Sequence, residues 1–176
     1  ATRPRRQAAA RRLARTLGGT VDAFLMPTLV PTPSQSFLGD YASRGAFTDC
    51  YAASVAGRVS LDALVEAFYT TTLFKVERWL LAKTLRLHAT DAQARQLAQG
   101  SIERFSAWRV ESRSSTEILL DAGQTRSWLS VAPGQRDGQT TLLFGSAVVP
   151  LRPGGKFGVA FHALLGVHRL YSKLLL

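Results

Sequence analysis

The chain has very little cysteine: Cys50 is the single one among 176 residues. A lone cysteine excludes an intrachain disulfide framework. No cysteine, histidine or carboxylate spacing is typical of a metal site, and His162 and His168 lie six positions apart. On one helix that separation turns them about 120° away from each other. We therefore expect no metal and no cofactor.

Long apolar runs are absent too. No uninterrupted stretch reaches the roughly 18 residues that suggest a membrane-spanning helix. The most apolar stretch, residues 157–176, is interrupted by His162, His168, Arg169 and Lys173, which favours a core helix. The sequence thus predicts a soluble protein. A cytoplasmic location is the expectation, and peripheral attachment to a membrane is the alternative.

Acidic residues are missing before Asp22, whereas residues 1–17 contain six arginines. The formal net charge of the whole chain is +10, so the remainder carries only +4. Most of the excess therefore belongs to an arm, and nucleic-acid binding is not expected. The arm favours a helix that Gly18 and Gly19 end. A contact with an anionic membrane surface or a protein partner, and a targeting remnant, are alternative interpretations.

The segment after the arm is rich in proline. Residues 27–36 contain three prolines and no charge, a composition typical of an extended linker. Residues 1–40 are accordingly predicted to be a basic helical arm followed by this linker. Residues 41–176 are predicted to form a single domain, and a chain of this length can bury a substantial core.

Apolar spacing and turn residues predict the order of elements in the domain. Residues 46–56 are mostly small and predict a strand. Ser60 is expected to cap a helix pair over 61–86, and Thr90 a short helix over 91–99. Four antiparallel strands and a long amphipathic helix complete the prediction, at residues 104–113, 115–122, 124–132, 140–149 and 156–176.

This order of strand, helices, antiparallel strands and long terminal helix indicates an α+β fold. It resembles the superfamily of START lipid-transfer domains, polyketide cyclases and birch-pollen-type allergens (SRPBCC proteins) over residues 46–176. The resemblance implies a helix-grip fold, in which a curved antiparallel sheet wraps around the C-terminal helix. It also implies a cavity for an apolar small molecule between the sheet and that helix.

Two of the predicted strands have polar and apolar residues on both faces. Arg109 shares a face with Phe105, and Arg126 shares one with Trp128. Ligand sites combine apolar walls with a few polar groups, so such strands suit a cavity wall. The candidate ligand-binding residues are three aromatic wall residues, two arginine anchors and a histidine of the last helix: Tyr51, Trp108, Trp128, Arg109, Arg126 and His168. Exposed cross-strand charges and an ordinary core are the alternative interpretation.

The leading functional hypothesis is a non-catalytic protein that binds or carries a lipid-like or polycyclic molecule. The first alternative is an enzyme of the cyclase or isomerase type, with Glu111, Asp49 or His168 as acid or base. The second is an interaction protein with a filled core, which contacts a membrane or a partner through residues 1–17. Cys50 is expected to be a small buried thiol rather than a nucleophile.

Overall fold

The structure is a computed structural model, and it describes residues 27–71, 74–75 and 89–149. Within these residues the chain forms a seven-stranded antiparallel sheet of order β1-β2-β7-β6-β5-β4-β3. The strands are Thr28–Leu29 (β1), Phe47–Ala56 (β2), Arg104–Phe105 (β3), Trp108–Arg113 (β4), Glu117–Ala122 (β5), Thr125–Pro133 (β6) and Gln139–Val148 (β7). The same residues contain three helices, which are Phe37–Ser43 (α1), Leu61–Tyr69 (α2) and Asp91–Ala98 (α3).

The predicted helix-grip fold is wrong. The described residues form a seven-stranded sheet with three short helices. Two of these helices, α2 and α3, share a core with the sheet, and Phe68 of α2 lies 4.9 Å from Phe144 of β7 between ring centroids. In the described part of the chain, short helices thus pack against the sheet. That helix, predicted at 156–176, and the basic arm at 1–17 lie outside the described residues.

The sheet has two strands more than the sequence predicts. β1 lies inside the proline-rich segment and pairs with β2 at the edge of the sheet, where proline is tolerated. β3 and β4 come from the single strand predicted at 104–113, which a turn at Ser106 and Ala107 divides. Ser106 has a φ of 53° there. Only glycine, asparagine and aspartate adopt such values readily, so the sequence gives no turn signal.

Both predicted helix starts are confirmed. The Ser60 hydroxyl accepts the N–H of Ala63 at 3.2 Å. Thr90 and Gln93 form the expected capping box, in which each side chain accepts the backbone N–H of the other residue. Helix α1, which the sequence does not predict, begins in the same way with Ser36 as its cap. Its seven residues are too few to show a repeating apolar pattern.

Helices α2 and α3 cover one face of the sheet, which we call the inner face. Aromatic rings meet in its core, with centroid distances from 4.6 Å (Tyr69 to Phe74) to 6.4 Å (Phe105 to Trp108). The remaining rings of this core are Phe68 and Phe144. Burial of so many large apolar side chains is the main stabilising contribution in this half of the domain.

Helix α1 covers the opposite face, which we call the outer face. Leu38 is fully buried there and packs in one cluster with Cys50 and Trp128. A Cβ on Gly145 of β7 would overlap with the Leu38 side chain and lie 3.2 Å from the Trp128 ring. The missing side chain of Gly145 therefore makes the notch into which α1 docks.

We expect Gly145→Ala to lower the free energy of unfolding by about 1–3 kcal/mol, because the added methyl group overpacks the notch. Urea denaturation measures this loss, and Thr141→Ala, farther along the same face of β7, is the control. Alkylation of native Cys50 reports release of α1, since the buried thiol lies in the same cluster as Leu38. Unchanged stability together with an unreactive thiol would contradict the notch.

Candidate functional site

The alternation of side chains divides the predicted site residues between the two faces of the sheet. Tyr51 and Trp108 lie on the inner face, and Arg109, Arg126 and Trp128 lie on the outer face. Successive side chains of a strand point to opposite sides. The five described residues therefore do not line one common wall.

Arg126 is the centre of a polar cluster on the outer face, and its side chain is only 13% exposed. Its guanidinium lies 2.5 Å from Glu111 and 2.8 Å from Asp121. The Tyr41 hydroxyl of α1 accepts a hydrogen bond from Arg126 at 2.9 Å and donates one to Glu111. Burial and the bond to Glu111 raise the pKa of Tyr41 above its ordinary value. These four residues, which we call the outer-face clasp, fasten α1 to the sheet.

Trp128 lies beneath α1 and is 1% exposed. Its indole N–H donates to the Glu117 carboxylate at 2.6 Å, and the same oxygen accepts the backbone N–H of Phe37 at 3.1 Å. The Glu117 carboxylate thus accepts hydrogen bonds from two donors, the buried indole of Trp128 and a backbone N–H in the first turn of α1. Sequence reasoning missed this residue, because Phe37 lies 80 positions away from it.

Arg109 is exposed on the outer face. Its register neighbours are Asp121 on β5 and Arg104 on β3. Asp121 is already bound to Arg126 at 2.8 Å. Arg109 and Arg126 therefore lie in one cross-strand row, on either side of Asp121. Arg126 is mostly buried and bound to two carboxylates, whereas Arg109 is exposed.

A row of polar side chains also crosses the inner face. Asp49, Ser146 and Ser127 are register neighbours on β2, β7 and β6, and we call them the inner polar row. Asp49 is 7% exposed and Ser146 is 1% exposed. The Ser146 hydroxyl donates a hydrogen bond to the Asp49 carboxylate at 2.5 Å. The two residues are 97 positions apart, so the sequence does not reveal the pair.

The next row along the inner face is apolar. Tyr51, Phe144, Leu129 and Ile118 follow one another in register across β2, β7, β6 and β5. Each of them is at most 2% exposed. A buried carboxylate and its hydroxyl partner therefore adjoin a continuous row of buried apolar side chains.

The acid or base candidates fall in different places. Asp49 lies in the inner polar row, whereas Glu111 belongs to the outer-face clasp. His168 lies outside the described residues. Of the described candidates, Asp49 alone lies beside the apolar row of the inner face.

Cys50 follows Asp49 along β2 but points to the outer face, where it is fully buried. Burial, with a smaller effect from the Asp49 charge, raises the pKa of the Cys50 thiol to about 12. A thiol nucleophile must be deprotonated to react. Cys50 is therefore inert near neutral pH.

Among residues 27–71, 74–75 and 89–149, no three histidine, cysteine or carboxylate side chains are grouped so as to hold a metal ion. No helix in this part of the chain has the length and apolar character needed to cross a membrane. No family model, curated protein or solved structure matches this chain.

The raised pKa of Cys50 predicts a loss of stability between about pH 9 and about pH 12. In this window the unfolded chain has released the thiol proton and the folded protein still holds it. The free energy of unfolding should then fall by about 1.4 kcal/mol per pH unit from this group, and the group should contribute no slope at lower pH. Urea denaturation of the native protein and of Cys50→Ala, below and within the window, isolates this slope from tyrosine titration. Parallel pH curves for the two proteins would refute it.

Proposed function

We propose that this protein binds a mostly apolar small molecule on the inner face of its sheet, with the polar end of the guest at the inner polar row. One observation carries the proposal. The buried Asp49 carboxylate, hydrogen-bonded to Ser146, lies directly beside the apolar row that contains Tyr51 and Phe144. Ligand sites typically combine such an apolar wall with a few polar groups that orient the guest.

The energetic cost of the carboxylate supports this assignment. Removing an ionised carboxylate from water costs several kcal/mol before its partners compensate. An apolar residue at position 49 would continue the apolar surface of the inner face without that cost. The carboxylate at this position therefore supports a role in binding rather than in packing.

The chemistry of the inner polar row selects the polar end of the guest. An ionised Asp49 only accepts hydrogen bonds, whereas the hydroxyls of Ser146 and Ser127 both donate and accept. A guest that ends in an amine or a hydroxyl group matches this row, since either group donates to the carboxylate. A guest that ends in a carboxylate would be repelled by the charge of Asp49.

Acid–base catalysis at the same place is a second candidate function, and the position of Asp49 favours it. A carboxylate beside a bound apolar substrate is placed to take or give a proton during cyclisation or isomerisation. Asp49→Asn separates the two functions. Loss of turnover with retained guest binding would identify catalysis, and loss of binding would identify recognition.

Native mass spectrometry of the purified protein tests the binding function. We expect a small molecule to remain bound to the native protein. We also expect lipophilic amines and alcohols to bind more tightly than lipophilic acids of equal chain length. Asp49→Asn should weaken amine binding by about tenfold or more, the loss typical of a hydrogen bond to a charged group.

The matched control is Asp137→Asn, which removes an equal charge from an exposed loop position. Circular dichroism of each variant verifies that the fold is retained. Equal affinities of the native protein and Asp49→Asn would place the guest elsewhere. The absence of any bound molecule, together with no affinity for the whole ligand series, would refute the binding function.

A further inference from the structure

Two arginines face each other across the hairpin at one edge of the sheet. Arg104 of β3 and Arg109 of β4 are direct register partners, and both residues are exposed. Side chains in such positions start from Cβ atoms about 5 Å apart. Like charges directly opposite each other destabilise a strand pair, so local stability does not explain the presence of arginine at both positions.

No acidic side chain of the described residues neutralises this arginine pair. Neither Arg104 nor Arg109 has an ion pair or a side-chain hydrogen bond within the described part of the chain. The carboxylate nearest in register, Asp121, is bound to Arg126. Within residues 27–71, 74–75 and 89–149, the pair therefore presents positive charge to solvent without a bound carboxylate.

The hairpin holds the two guanidinium groups on one side. Phe105 and Trp108, the next register pair, point to the inner face and are 1% and 6% exposed. Their burial fixes the hairpin against the core. Alternation then directs Arg104 and Arg109 outward together.

We propose that this arginine pair is a contact site for an anionic phospholipid surface. Guanidinium groups bind phosphate oxygens in a bidentate manner. A single exposed ion pair is weak, so one free phosphate would be held poorly. A lipid surface presents many phosphate groups at once, and the net charge of +10 attracts the whole chain towards it. The site is independent of the proposed guest site, which lies on the other face.

Co-sedimentation with phosphatidylcholine vesicles, with and without phosphatidylserine, tests the proposal. We expect the full chain to bind the phosphatidylserine vesicles, and to bind them less as salt is raised. The double variant Arg104→Gln, Arg109→Gln should lose affinity by about fivefold for each arginine. Arg136→Gln and Arg58→Gln, combined in one protein, remove the same charge from exposed positions outside the hairpin. This control should bind almost as well as the native chain.

Several results would overturn the proposal. Equal losses in the two double variants would show a general charge effect. Unchanged binding of the hairpin variant would assign any attachment to other residues. Binding of soluble phosphate, of an acidic peptide or of nucleic acid in preference to the vesicles would exclude the lipid surface.

The thermal midpoint provides a readout that needs no ligand. Arg104→Glu replaces the opposed like charges by an ion pair with Arg109. We expect the midpoint to rise and vesicle binding to fall in this variant. A lower midpoint would mean that the arginines stabilise the hairpin, and the proposal would then lose its structural premise.

Discussion

The constraint on which this structure depends is that helices cover both faces of one antiparallel sheet. Every central strand must therefore send apolar side chains to both sides. β6 satisfies this requirement with Leu129 on the inner face and Trp128 on the outer face, each almost fully buried. Polar residues between them remain only where partners compensate them, as Asp121 and Glu111 do for Arg126.

The two faces are stabilised in different ways. The inner core consists of aromatic rings from α2 and from the strands, so its stability follows mainly from apolar burial. On the outer face, the short helix α1 is held by the notch at Gly145, by the carboxylate of Glu117 and by the outer-face clasp. Because a helix of this length is unstable alone, α1 exists through these tertiary contacts.

The inner polar row differs from the polar groups of the outer face. Within the clasp, Arg126 and Glu111 bind Tyr41 and so fasten helix α1 to the sheet. Asp49 and Ser146 instead join two neighbouring strands that already share a full backbone ladder.

The sequence by itself determined the features that depend on near neighbours. Ser60 and the capping box of Thr90 and Gln93 start helices. Gly123 and Gly138 adopt positive φ values in the tight turns that connect consecutive antiparallel strands. The sequence also allowed Asp49 and Tyr51 to be selected as candidate site residues, because a carboxylate and an aromatic ring stand out in a strand of mostly small residues. Only the tertiary structure decided that Trp128 and Trp108 face opposite ways, that α1 exists, and that Asp49 meets Ser146. The physical reason is distance along the chain: Tyr41 and Arg126 are 85 positions apart, and only the folded sheet brings them together.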